Sequence, residues 1–371
     1  MEKIKVVFGV NDFTAGGMQK QFTEQIAHYD RERFDITLVT LLHLRGYPDL
    51  YDALPTDLHV MRFDFKGFFD FRSWWSLFRF LRSHKPDIVV SSLFFSNAVF
   101  RILKPFVGYR VISREHNTYT YKSWWHRKID TALAKLSYTI VAVSTTVADF
   151  TAKQEGISRD TFTVIHNGID VQKVHSTLTV LSEKQVIREE LGLAANELVF
   201  LNVARFVKQK NHRLLIEGFA QFQAAHPQAK LLLVGDGVER DSIELMVHTC
   251  GVTDHVIFCG HQDDVWQFYK VADYFVSTSH IEGFSNAYLE ALAAGLPIVA
   301  TMTAGTDEFL VEGENGAVIE SFTPTAVAAA LTRVAVADHA VLQAGAQASA
   351  ERFDIRATVE KYQTLFTSLQ R

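Results

Sequence analysis

The chain has 371 residues, 48% of them hydrophobic and 21% charged, with a formal net charge of −5. That length favours two domains of ordinary size, and the composition excludes disordered and fibrous classes. No apolar run approaches the roughly 18 residues of a membrane span, and two cysteines, Cys250 and Cys259, suit neither a disulfide framework nor a zinc cluster, favouring a reducing, cytoplasmic setting.

The first segment, MEKIKVVFGV, reads as a β-strand; its apolar core is too short for a signal peptide. Residues 18–29 follow with Met18, Phe22 and Ile26 at helical spacing. Further β-rich runs come at DITLVTLL, DIVVSSL, YRVISREH, TIVAVS and TFTVIHNG. After a polar stretch near 170–185 the pattern restarts with LVFLNVARF, AKLLLVGDG, HVIFCG, YFVSTSH and LPIVAT. Strands alternating with helical segments predict parallel sheets with crossover helices, and the pattern occurs twice. We expect an α/β protein of two doubly wound, Rossmann-like domains, at 1–178 and 179–352. A C-terminal helix, 353–371, carries Val359, Tyr362, Leu365 and Phe366 on one stripe and is expected to pack on the N-terminal domain. Ligands of open α/β sheets bind at the carboxyl ends of the strands, so the site is expected in a cleft between two such edges. No G-x-G-x-x-G follows the first strand, and GDGVER lacks the third glycine, so a dinucleotide reading is weak.

Three stretches carry chemistry. In TAGGMQKQF, Gly16 and Gly17 lie between a strand and an amphipathic helix, as a phosphate site or as a tight turn. In NVARFVKQKNHRLLIEGF, a strand ends at Arg205 and Asn211 is placed to cap a helix. Lys210 then opposes the helix dipole, a cost that an anion at the same place would offset. Arg205 as a fork and Lys210 as a point charge suit a diphosphate, although as surface charges both would be ordinary. In STSHIEGFSNAYLEALAAGLPIVAT, Glu282 lies in a loop before Gly283, Ser285 or Asn286 caps a helix, and Glu290 sits about one turn inside it. A carboxylate pairs well with vicinal hydroxyls. Glu290 fits a ribose diol, Glu282 at the loop tip fits a sugar ring, and the helix start between them offers amides to phosphate.

This E-x7-E pair resembles the motif of retaining glycosyltransferases of the two-Rossmann-domain (GT-B) type, and more narrowly of family 4. The resemblance also rests on ARFVKQK, the GG after strand one, EHN at 115–117, VS at 143–144 and HNGID at 166–170, and it covers essentially the whole chain. It implies that Glu290 binds the nucleotide ribose, Glu282 the transferred sugar, and Arg205 and Lys210 the leaving diphosphate. Gly16 and Gly17 would place amides beside the same phosphates. His116 would lie near the transferred sugar, the amides of Gly283, Phe284 and Ser285 would touch sugar and phosphate, and GHQDDV, from Gly260 through His261 to Val265, would cradle the base. The implied reaction moves a hexose or N-acetylhexosamine from a nucleotide sugar, UDP ahead of GDP, with retention and with neither metal nor cofactor. No carboxylate nucleophile stands out, which points to front-face substitution. The acceptor is expected to be a lipid-linked glycan in bacterial polysaccharide or glycolipid synthesis, with a soluble or protein acceptor as the alternative. An epimerase or a non-catalytic sugar-binding scaffold is more remote, and nothing suggests a nucleic-acid partner.

Charge is unevenly spread. Residues 1–175 hold 23 Lys+Arg against 18 Asp+Glu, and residues 61–130 hold 13 against 5. Two basic stretches there, FKGFFDFRSWWSLFRFLRSHK (65–85) and YKSWWHRKIDTALAKLS (121–137), place Trp75 beside Arg79 and Trp124 beside Lys128 on outward helix faces. Trp74, Leu77 and Leu81 in the first, and Trp125, Ile129, Leu133 and Leu136 in the second, form the expected core stripes. Tryptophan on a basic face suits an anionic membrane surface, so a peripheral position on the inner face of the cell membrane is expected. Covering by loops, or a soluble acceptor's path, is the alternative.

Overall fold

The computed structural model describes residues 2–44, 46, 48–120 and 122–370. Met1, Tyr121 and Arg371, which open or close segments read above, lie outside these. The chain forms two units, residues 1–168 with 355–371, and residues 169–354.

In the first unit seven parallel strands take the order β3-β2-β1-β4-β5-β6-β7. They are β1 (Ile4–Val10), β2 (Phe34–Thr40), β3 (His59–Arg62), β4 (Ile88–Ser92), β5 (Arg110–Glu115), β6 (Thr139–Ala142) and β7 (Phe162–Val164). The crossover helices are α1 (Gly17–Ile26), α2 (Phe71–His84), α3 (Phe94–Val107), α4 (Trp124–Ala134) and α5 (Thr145–Glu155). Alternation along β1 builds both layers. Val6, Phe8 and Val10 enter one core with Phe22 and Ile26, while Val7 enters another with Leu77, Leu81, Val99 and Phe100. Helix ends follow local chemistry. Asp70 accepts from Ser73 N at 3.2 Å to start α2, and Ser144 accepts from Val147 N at 3.1 Å to start α5.

The second unit begins with α6 (Val171–Val180) and α7 (Lys184–Glu190). Its strands are β8 (Leu198–Val203), β9 (Ala229–Val234), β10 (Val256–Gly260), β11 (Tyr274–Ser277), β12 (Ile298–Thr301) and β13 (Gly316–Ile319). They are parallel, in the order β10-β9-β8-β11-β12-β13. Its remaining helices are α8 (His212–Ala225), α9 (Arg240–Thr249), α10 (Trp266–Val271), α11 (Asn286–Ala293), α12 (Pro324–Val336) and α13 (His339–Glu351). The last helix, α14 (Ile355–Ser368), belongs to the first unit. Its Val359, Tyr362 and Phe366 join Phe8, Phe22 and Ile26 in the core.

In its domain division and strand bounds the structure differs from the sequence reading in three places. The polar stretch near 170–185 is helical and lies in the second unit, so the first division falls after Gly168 and not at 178. Val171, Val174 and Ile187 are buried, and Lys270 Nζ donates to the carbonyls of Leu178 and Leu181. The strands β3 and β13 were not expected. Both are four-residue edge strands, one reading HVMR and mostly uncovered, the other GAVI after a glycine. Third, β8 ends at Val203, which leaves Arg205 in the loop. Among the described residues no single helix is long and apolar enough to cross a membrane.

Candidate active site

Strand order in the second unit reverses between β8 and β11, the kind of switch point at which open α/β sheets bind ligands. The loops that leave these two strands carry Arg205, Lys210 and Glu282. Arg205 is exposed, and none of the ion pairs among the described residues involves it. Phe206, next in sequence, is fully buried and anchors the loop. The GDG turn after β9 lies directly beneath it. Phe206 N donates to Asp236 O at 2.8 Å and Glu239 N to Phe206 O at 3.0 Å. A Cβ on Gly235 would stand 2.0 Å from Ala204 O, and one on Gly237 2.5 Å from Phe206 O. Those glycines let the turn support the arginine loop, a role their spacing did not suggest.

A short turn, Lys208–Lys210, leads to Asn211 and α8. Asn211 holds the cap position but adopts a left-handed backbone, φ 52°, and its side chain does not cap the helix. His212 does the anchoring instead. It is buried, and its Nε2 lies 3.1 Å from Asn202 Oδ1 on β8. Burial, with Lys210 nearby, pulls its pKa down to about 4, so the ring stays neutral.

The anion expected beside Lys210 is supplied by the protein. Lys210 Nζ donates to Glu282 Oε1, and Ser279 Oγ donates to the same oxygen at 2.7 Å. Glu282 is therefore not at an open loop tip; it is 7% exposed, drawn in by the cation. Gln209 Nε2 donates to Ile281 O at 2.7 Å, and His280 N donates to Gln209 O at 2.9 Å. The two loops are joined along their length. Eight residues beyond Glu282, Glu290 is 4% exposed on α11 and accepts from the Tyr269 hydroxyl at 2.9 Å.

Between these carboxylates, Ser285 takes the cap position of α11 without a side-chain cap bond. The Phe284 ring packs on Phe309 and Phe353 at 5.9 and 5.0 Å, so its side chain belongs to the core. Gly283 is buried with it. His261 is exposed with Nε2 3.5 Å from Asp263, whereas Val265 is buried at the cap position just before α10.

In the first unit, the strand order reverses between β1 and β4. Gly16 and Gly17 follow β1 and open α1 without a side-chain cap, leaving its start to backbone amides. His116 follows β5, and its Nε2 is buried with no hydrogen-bond partner among the described residues. Burial, and then the neighbouring Arg114 charge, hold its pKa well below the usual range, so the imidazole is neutral.

Next to His116 lies a charge cluster that sequence reading missed. Arg101 Nη1 meets Asp130 Oδ1 at 3.2 Å, and Lys122 reaches Glu115, Asp130 and Glu155 at 3.6, 3.0 and 2.5 Å. All three carboxylates are buried. Two cations thus face three carboxylates. Burial and the Glu115 charge push Glu155 up to about 7, while the three carboxylates raise Lys122.

The outward faces of α2 and α4 are apolar and basic. Trp75 and Trp124 are 62% and 71% exposed, with Arg79 and Lys128 also exposed beside them. On α2 the core stripe holds, with Leu77 and Leu81 fully buried and the Trp74 indole donating to Phe68 O at 2.7 Å. On α4 it does not. Trp125 and Ile129 are 46% and 38% exposed, because the inward face is given to Asp130 and Ala134, and Asp130 turns in toward Arg101 and Lys122.

The family model for glycosyl transferases group 1 matches residues 183–343, and that for glycosyltransferase family 4 matches residues 15–173. The chain is 29% identical over 157 residues to the alpha-monoglucosyldiacylglycerol synthase of Acholeplasma laidlawii, covering 42% of this chain and 39% of that protein. It is 33% identical over 187 residues to the lipopolysaccharide core biosynthesis glycosyltransferase LpsE of Rhizobium meliloti strain 1021, covering 49% and 54%. The chain thus spans about half the length of these curated relatives. Its fold matches the crystal structure of Anabaena HepE in complex with UDP with a TM-score of 0.85, at 21% identity over 98% of this chain and 100% of that one.

Proposed function

The chain belongs to the family 4 (group 1) glycosyltransferases of the GT-B type, and from that premise we propose that it transfers a hexose or N-acetylhexosamine, with retention, from a UDP-sugar to a hydroxyl of a lipid-linked glycan acceptor. The observation that carries this reading is the arrangement at the β8/β11 switch point. Arg205, exposed and in no ion pair among the described residues, and the Lys210–Glu282 pair lie on the loops that leave these strands, with Glu290 buried on the helix that follows.

In this reading Glu290 accepts the ribose hydroxyls and Glu282 a hydroxyl of the transferred sugar. Lys210 lies against Glu282 and so reaches sugar and phosphate together. The C1–O bond to the diphosphate breaks as the acceptor oxygen bonds C1 on the same face, and the acceptor proton passes to the departing phosphate oxygen. Arg205 and Lys210 take up the charge that develops on that oxygen, which is worth most where water is excluded. Those two cations make a metal unnecessary to the proposal. In the first unit the neutral His116, whose Nε2 has no hydrogen-bond partner among the described residues, is suited to a sugar hydroxyl. The amides at the start of α11 meet phosphate.

The lipid-linked acceptor is supported by the names of the two curated relatives and by the exposed tryptophans among arginines and lysines on α2 and α4. Such rings sit half in the headgroup layer while the cations face anionic lipid. We therefore place the protein peripherally on a cytoplasmic membrane surface. A soluble acceptor is the second reading.

Thermal unfolding with UDP, GDP, ADP and their sugars tests the donor side. A ligand at 100 times its Kd adds about 2.7 kcal/mol, so UDP and one UDP-sugar should raise Tm clearly and ADP should not. No response to any nucleotide would refute the transferase reading.

A further inference from the structure

Glu290 does not orient itself. A glutamate's terminal torsion is soft, and a buried carboxylate needs hydrogen bonds to compensate lost water. The Tyr269 hydroxyl donates to Glu290 Oε2 at 2.9 Å, and it lies 3.4 Å from Ala287 O one turn earlier in α11. Tyr269 is 1% exposed, and its ring stacks on Phe275 of β11 at 6.2 Å and 17°. Burial, and then the Glu290 charge, push the phenol well above its usual pKa, so this hydroxyl keeps its proton and donates it. Tyr269 stands on α10, the helix that follows residues 260–265 directly.

We propose that Tyr269 is a positioning residue for the nucleotide: by holding one oxygen of Glu290 it sets the carboxylate for the ribose hydroxyls and ties the segment beneath the base to the helix that meets the ribose. This rests on the reading of Glu290 as the ribose contact. Tyr269 touches no ligand in this scheme. It acts only through Glu290, and a tyrosine that merely filled the core would act on stability alone.

Tyr269→Phe removes one oxygen and keeps the ring stack. The probes are UDP and 2′-deoxyuridine diphosphate, titrated by calorimetry, with GDP and its 2′-deoxy analogue as a parallel pair. Wild-type protein should prefer the ribonucleotide by about tenfold, the scale of one hydrogen bond to a charged group. Tyr269→Phe should weaken the ribonucleotide by about tenfold and leave the deoxynucleotide within about twofold, so that the preference falls toward one. Glu290→Gln should do the same. A Tyr269→Phe protein that keeps the wild-type preference, or weakens both probes equally, overturns the inference. Wild-type protein with no preference in either pair, or no binding of either, overturns the ribose reading of Glu290 itself. Thermal unfolding of Tyr269→Phe separates these results from loss of the fold, and a Ser279→Ala control reports on Glu282 and should keep the ribose preference.

Discussion

Lys210 and Glu282 are 72 residues apart in sequence and share a direct ion pair, with Ser279 Oγ on the same carboxylate oxygen. The pair joins the loops after β8 and β11 and explains why a lysine is tolerated just before a helix start, where a cation is unfavourable.

Removing either cation of this site should slow transfer more than it weakens binding. Arg205→Ala and Lys210→Ala are each expected to lower kcat by about 10²-fold, the scale for losing one electrostatic stabiliser. Lys210→Ala should also lower Tm, because among the described residues it leaves buried Glu282 with Ser279 alone for a hydrogen bond, whereas the exposed Arg205 should not. Steady-state kinetics with a chelator present throughout check both the size and the metal-free reading. Activity lost to the chelator and restored by Mg²⁺ or Mn²⁺ would count against the latter.

The cluster around Lys122 predicts a pH effect. Glu155 titrates near 7 in the folded protein, above an unfolded carboxyl of about 4.3. The folded state therefore holds that proton more tightly. Its stabilising contribution is full below the unfolded pKa and is lost as pH rises through about 7. Glu155→Gln should flatten Tm between pH 5 and about 8 and be relatively more stable than wild type at the upper end. Thermal unfolding across that range decides it; an unchanged slope would remove Glu155 from the explanation.

A membrane-facing first unit predicts binding to vesicles containing phosphatidylglycerol. Sedimented protein should decline as salt rises, since each basic residue contributes only about 1 kcal/mol and is screened. The double variant Trp75→Ser, Trp124→Ser should stay in the supernatant and still bind UDP. Wild-type protein that ignores anionic vesicles at low salt would leave the soluble acceptor as the better reading.

The alternation of strands and helices was legible because parallel strands buried on both faces read as apolar runs, as in IKVVFGV and AKLLLV. The edge strands β3 and β13 were not, being four residues each with little apolar signal. Glu282 and Glu290 stood out because acids are rare near a buried helix. Their partners were hidden. Nothing local ties Lys210 to Glu282, and Tyr269 looks like any core aromatic. On α4 a helical wheel put the core at Trp125 and Ile129, because apolar periodicity carries no sign that Asp130 turns inward. Buried Arg101 and half-buried Lys122 draw it in.

The division of labour between the two glutamates is the centre of this account, and calorimetry of UDP and of the UDP-sugar that the enzyme turns over tests it most directly. Glu290→Ala should weaken both ligands by about tenfold or more, as expected for a contact to the shared ribose. Glu282→Ala should leave UDP near its wild-type affinity and weaken only the sugar-bearing donor. Equal losses of both ligands in both variants would contradict it.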